Sequence, residues 1–598
     1  MRTRTRGSLA VASLAVLAMT VAACGGSNKA GGSPGTGNTG PVSTNNGLQG
    51  VNGGGTPTKG GTLNMLGDGD LDYMDYNASY YTIGYQTERM WQRGLYAYPA
   101  EAGKTLVAAP DLATALPTVT DGGKTVTVTI RQGAMWNTSP ARQVTAADVI
   151  LGMKRACNPT PTHFGGLADY EAIVVGYSTF CTGFQKVSPT NLTAINNYMN
   201  KHQISGVSAS GETLTIHLTQ PAAYLSGAMT MDSFAPAPIE SEKYLPGSAQ
   251  SAQHMIADGP YQITSYVPGK SIKFDRNPAW QASSDPIRKA YVNAINITET
   301  GNPTTIQQVL QTNSSAGGME YDAFPPVESL AGLVQQMKAG TTHNMNLGPT
   351  GGSNPYLVFN TISPNNNKAL GNTKVRQAIS MAINRTHLIQ DLGGPEVAPQ
   401  LTHILPTGIG GSEDIPASFD PFPYNPSKAK SLLKAAGKSG LTITLPSSTA
   451  APGMLESATA FAQQARAAGV TINVNNGPAG SYFGTQYLKQ NFAQTQWLTT
   501  PMYNWIGQAM APTAPFNETH WHNPQWDSLL RQAEATVDAG KRQELYFEMQ
   551  KILWNEGGYI IWGFYPLLDG LSLKVHGAIP NPANELGNWQ FHTWWLSG

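Results

Sequence analysis

The chain is expected to fold as a mixed α/β protein, and three observations carry that expectation. Its 598 residues, at roughly 100–200 per domain, leave room for several domains and an ample core. Apolar side chains make up 40%, and the 64 glycines bring the total close to the usual globular share, so most of the chain should fold. Short β runs alternate with helical stretches at no fixed repeat period, the pattern of mixed domains.

The first segment stands apart. Arg2, Arg4 and Arg6 form a positive head, and Leu9 to Ala23 is an apolar run broken only by Ser13 and Thr20, the pattern of an export signal over residues 1–23. A spanning helix needs about 20 apolar residues, and this run stops at once in Gly25, Gly26, Ser27 and Asn28. Val21-Ala22-Ala23-Cys24 resembles the lipobox of bacterial lipoproteins, which implies cleavage before Cys24 and acylation of its thiol; a plain signal peptide with a chance cysteine is the alternative. Residues 24–60 read as the lipidated cysteine plus a tether. Gly, Ser, Thr, Asn and Pro with hardly an apolar side chain cannot bury enough surface to fold.

From Gly61 on, apolar or β-branched residues at alternate positions predict strands over Thr62–Leu66, Thr125–Arg131, Thr213–Thr219, Tyr261–Tyr266 and Ser271–Arg276. Helical spacing predicts Ala146–Arg155, Thr373–Ile383, Ser427–Ala436, Leu455–Ala468, Asp527–Ala535 and Lys541–Asn555. Thr145 is placed to cap the first of these helices, with Asp148 in its first turn against the macrodipole. In the last, Leu545, Met549, Ile552 and Leu553 share one stripe, which ordinary packing explains.

Charge and cysteine content narrow the function. Lys plus Arg and Asp plus Glu number 37 each, so no net field holds a phosphate backbone, and nucleic acid is excluded as a partner. Three cysteines occur, and Cys24 accounts for one. An exported chain most often pairs two remaining thiols, here Cys157 and Cys181; a reactive or metal-binding pair is the alternative, and it lacks nearby histidines.

Several stretches, in order, resemble the large dipeptide- and oligopeptide-binding family, the extracellular solute-binding proteins of ABC importers. Pro110-Asp111-Leu112-Ala113, Asp121-Gly122-Gly123-Lys124-Thr125, Ile130-Arg131-Gln132-Gly133 and Val144-Thr145-Ala146-Ala147-Asp148-Val149 resemble its most distinctive signature. Asp258-Gly259-Pro260-Tyr261 and Arg276-Asn277-Pro278-Ala279-Trp280 bracket a hairpin turning at Pro268-Gly269-Lys270. Phe359-Asn360, Lys374 to Ile379, Ala382 to Arg385, Tyr424-Asn425-Pro426 and Trp521 to Leu530 complete the run. The resemblance implies a two-lobed, hinged periplasmic-binding-protein-like α/β fold of type II, with an extra inserted domain. Residues 61–95, 207–299 and 531–598 would form lobe I, 96–206 its inserted subdomain and 300–530 lobe II. It further implies a monomer held to the membrane by its lipid anchor, which captures an oligopeptide or peptide-like solute and delivers it to ABC permease and ATPase subunits. An oligosaccharide or another small solute in the same role is the alternative. Cofactors are not expected.

In this family an acidic residue shortly after a Trp in the second lobe receives the peptide's amino group. The matching stretch here, Trp497 to Trp505, contains no Asp or Glu. An ammonium enclosed without a charged partner would cost several kcal/mol, so Asp68 and Asp70, with Asp72 beside them, become candidate substitutes; a solvated turn is the plainer reading of all three. Trp497, Thr500, Tyr503 and Trp505 are candidate ligand contacts, and the faces of Trp497, Tyr503 and Trp505 could stack on the ligand, against a core-packing alternative. Ser353, Asn354 and Tyr356 are placed by the resemblance near the cleft, where a plain turn is equally open.

Enzyme motifs fail, so no catalytic residues are assigned. Ser427 and Ser431 each precede a Lys by three positions, yet the companion motifs of penicillin-recognising enzymes are missing, and Gly351-Gly352-Ser353 meets Pro355 where a nucleophile elbow needs Gly. His520 and His522 lack a third ligand nearby, so no metal is expected.

Overall fold

The computed structural model describes residues 55–597 apart from 68, 80–81, 102–106, 160–170, 172, 232–233, 301, 320–326, 343–344, 348–352, 399, 404–418, 452, 479–480, 486–489, 499–504, 513, 515, 566–567 and 579–590. Each of the strands and helices expected from periodicity is present, with ends displaced by at most three residues. The proposed export signal, Cys24 and nearly all of the tether lie outside the described residues.

The first body is built on a five-stranded sheet in the order Tyr261–Val267, Ser271–Arg276, Ala294–Glu299, Thr62–Gly67 and Gly317–Met319. Thr62–Gly67 pairs parallel with both of its neighbours, while the hairpin joins antiparallel. Period-two burial sends Leu63, Met65, Ile272, Phe274, Ile295 and Ile297 into one core. The hairpin turns at Gly269, whose φ of 66° is a left-handed conformation that favours glycine.

A second unit grows out of this body. Its antiparallel sheet runs Thr118–Thr120, Thr125–Thr129, Thr213–His217, Val207–Ser210. The helices Ala146–Ala156, Tyr177–Phe184 and Leu192–Lys201 contribute to the same apolar cluster as the sheet's buried residues. Thr145 caps the first helix in a capping box with Asp148, satisfying two backbone donors that a helix start leaves open. Cys157, at the end of that helix, is disulfide-bonded to Cys181 of the next, with Cα atoms 5.1 Å apart.

The other body centres on the strand Ser353–Phe359, antiparallel to Phe492–Leu498 on one side and Tyr559–Ile561 on the other. Both faces of the central strand are covered, which is why it carries a continuous apolar run. Leu357 and Phe359 enter one cluster, and Tyr356 and Val358 enter another with Trp505, Trp521 and Trp526.

Packing moves two of the expected boundaries. Val207–Ser210 and Thr213–His217 belong to the sheet of the inserted unit, so that unit runs past residue 206. Ala539–Glu556 and Tyr559–Ile561 pack into the second body rather than lobe I, because the stripe of Met549 and Leu553 faces Tyr356 and Trp505 in the same cluster. The chain rejoins the first body at Leu571, which bridges Gly317, just after Leu568–Gly570 pairs with Met345–Leu347.

The bodies also touch directly. Leu66 packs against the second body's core. The Gln220 amide donates to Glu534 Oε2 and the Ala223 N–H to the Glu534 carbonyl, both at 2.8 Å.

Candidate functional site

The sheet of the second body brings together one group of expected contacts. Asn354 lies directly opposite Trp497, and Ser353 opposite Leu498, at the end of the two antiparallel strands. Trp497 is half-buried. Its indole Nε1 donates to Glu518 Oε1 at 2.8 Å, and Phe516 meets its ring edge-on at 5.6 Å. The Tyr356 hydroxyl donates to the other oxygen, Oε2, also at 2.8 Å. Tyr559 closes the group: its ring lies 5.4 Å from Tyr356, and burial, then the Glu518 charge, push its hydroxyl well above the usual phenol range.

Two of the expected contacts lie inside the second body. Trp505 is fully buried and Tyr356 nearly so, their rings 5.8 Å apart inside one apolar cluster. Of the stacking and core-packing readings left open for Trp505, the hydrophobic gain of burying so large a ring favours the second. Thr500 and Tyr503 lie outside the described residues, as do the side chains of Ser353 and Asn354.

Asp70, expected as a stand-in for the missing acidic residue, is engaged within the chain. Its carboxylate accepts from Tyr266 Oη at 3.2 Å, Gly269 N–H at 2.6 Å and Leu71 N–H at 3.0 Å, so it pins the loop after the first strand to the hairpin turn. Burial and then this carboxylate raise the Tyr266 phenol. Asp72 accepts from Tyr73 N–H and Ser79 Oγ, each at 2.9 Å. Asp68 lies outside the described residues.

What the sequence reading missed is Glu518. It sits 21 residues beyond Trp497, and only the turn of chain around Phe516–Thr519 brings it under the sheet. A Glu between Asn517 and Thr519 gives no local signal of that. The reading also missed Gln220 and Glu534, whose burial raises the Glu534 carboxyl despite the Gln220 amide and Arg531.

A cavity in the first body is lined by Tyr85, Tyr96, Tyr98, Arg89, Arg288 and His592 among others; none of the expected ligand contacts lines it. Ser427 and Ser431 lie on the exposed face of Pro426–Ala435. His522 Nδ1 lies 2.7 Å from Asp527, and among the described residues no cluster of three His, Cys, Asp or Glu could hold a metal. Nor is any described helix long and apolar enough to cross a membrane.

A family model described as bacterial extracellular solute-binding proteins, family 5, middle, matches residues 108–526. The chain is 27% identical over 467 residues to the glutathione-binding protein GsiB of Salmonella typhi, covering 74% of this chain and 78% of that one. Among solved structures it resembles clavulanic acid biosynthesis oligopeptide binding protein 2, with a TM-score of 0.77, 20% identity and coverage of 91% and 96% of the two chains. It also resembles the periplasmic binding protein DppA of Helicobacter pylori in complex with the peptide STSA, with a TM-score of 0.71, 18% identity and coverage of 90% and 99%. The structural likenesses show the fold: two-lobed, α/β and of type II.

Proposed function

Because the chain belongs to family 5 of the bacterial extracellular solute-binding proteins, we propose that it captures a peptide-like solute and delivers it to the permease and ATPase of an ABC importer. GsiB is named for glutathione, and DppA holds a peptide, which supports a peptide-like cargo.

The observation that carries this reading is the strand Phe492–Leu498, the outer strand of its hydrogen-bonded three-stranded sheet, whose outer side is covered as far as Gln494 by Tyr482 and by Thr442–Ser447. There the Tyr482 hydroxyl accepts from Gln494 N–H and donates to Gln494 O, at 3.2 and 2.8 Å, so the backbone of Gln494 points outward. Backbone direction alternates along a strand, which aims Gln496 and Leu498 outward as well. Past Tyr482, at Gln496 and Leu498, an extended amide-bearing solute can pair with the outward backbone, beside the indole of Trp497. The same ring supports a second reading, an oligosaccharide stacked on its face.

Among the described residues Glu518, Asp70 and Asp72 are already engaged within the chain, so this reading calls for no ammonium–carboxylate pair from them. The role requires no bond to be broken in it. Export by residues 1–23, acylation at Cys24 and a tether to residue 60 would keep a monomeric protein at the outer face of the membrane.

Native mass spectrometry of protein taken from its own host tests the proposal, since a closed cleft retains cargo. Titration calorimetry with reduced glutathione and the tetrapeptide Ser-Thr-Ser-Ala supplies the direct measurement, and acetylating the tetrapeptide's amino group is expected to change its affinity less than about tenfold, roughly 1.4 kcal/mol. Retention of a sugar, or conversion of the cargo to product, would refute it.

A further inference from the structure

Glu518 is 3% exposed, and a carboxylate withdrawn from water must find hydrogen-bond donors. Two of its donors are aromatic: the Trp497 indole at one oxygen and the Tyr356 hydroxyl at the other, each at 2.8 Å. Trp497 belongs to the strand whose outward backbone carries the capture reading, and Phe516 abuts its ring. An indole held at its N–H and braced by a second ring loses the rotational freedom that a half-exposed tryptophan otherwise keeps.

We propose that Glu518 is a positioning residue: its carboxylate fixes the indole of Trp497 as a flat platform for a planar amide or aromatic group of the solute, and does not itself receive a solute ammonium. This inference rests on the capture reading for its ligand and on the chain alone for its geometry. A charge receptor and a positioning group differ in what glutamine does. Glutamine keeps an acceptor for the indole N–H and loses the charge; alanine loses both.

The full chain is labelled with 5-fluorotryptophan, and the Trp497 resonance is identified by its loss in Trp497→Phe. Without ligand, Glu518→Ala is expected to shift or broaden that line by more than its own width, whereas Glu518→Gln leaves it in place. In the unmodified protein the Trp497 indole N–H is expected to exchange with solvent at least tenfold more slowly than an exposed indole, a measurement that stands if the alanine variant does not fold. A fast-exchanging N–H, or a resonance that ignores both substitutions, overturns the proposal.

With Ser-Thr-Ser-Ala and reduced glutathione as probes, Glu518→Ala is expected to lose tenfold or more in affinity and Glu518→Gln less than threefold. Equal losses in the two variants would assign the charge to the ligand and overturn the positioning role. Should the unmodified chain bind neither probe, the solute class fails, and the ligand-free spectra still decide the role of Glu518.

Discussion

Asp258 and Asp285 show how one buried cluster drives two carboxyls in opposite directions. Arg93 and Arg288 both contact Asp111 and Asp285, with all four side chains at most 4% exposed. Burial alone would raise Asp285, but Arg288 and Arg93 outweigh it and hold the group well below the ordinary range. Among the described residues Asp258 accepts only the Arg93 backbone N–H, at 2.9 Å, and its other oxygen is buried without a partner. Burial pushes its pKa up to about 8, which Arg93 only partly offsets. The unfolded chain ionises near pH 4 while the folded one stays neutral, so Asp258 stabilises the fold below pH 4 and that contribution is lost as pH rises to about 8. Asp258→Asn mimics the neutral acid and should abolish this loss, on the order of a few kcal/mol. Urea melts at pH 5 and pH 9 check it: parallel losses in both proteins would show that Asp258 is not the group. Nothing about Asp258-Gly259-Pro260 announces a neutral carboxyl, because its environment comes from Arg93 and Asp111, far back in the chain.

Helices and strands were far more legible than these environments. Thr145 and Asp148 sit three residues apart, so a capping box can be recognised without knowing what the helix packs on. The stripe of the Ala539–Glu556 helix was equally plain, but its partner was not, and the helix went to the other lobe than expected. The pairing of Cys157 with Cys181 joins two helices 24 residues apart in sequence, cross-linking the inserted unit within its own core. In the chain-entropy description, closing a loop of that size stabilises by about 3 kcal/mol. Replacing both cysteines by serine should lower the unfolding free energy by about that amount. A denaturant midpoint that coincides with the unmodified protein's would show that the bond contributes nothing at equilibrium.

The two hydrogen bonds to Glu534 join the chain at Gln220 and Ala223 to the helix Pro524–Ala535, and the capture reading expects them to break when the lobes open. Losing the Gln220 side-chain bond costs about 1 kcal/mol, roughly a fivefold change in an equilibrium. Gln220→Ala should therefore speed release of a captured tetrapeptide about fivefold without touching the binding strand. Stopped-flow dissociation measures this, and an unchanged release rate would place the contact outside the closing motion. Periodicity, caps, turns and the apolar head with its Cys24 depend on near neighbours, so the order of residues was enough to read the elements and the family. Glu518 under Trp497, Asp70 on the hairpin and Glu534 against Gln220 meet across 21, 196 and 314 positions. Which carboxylate finds which donor at such distances follows from how the layers pack and exclude water, and no local pattern encodes that.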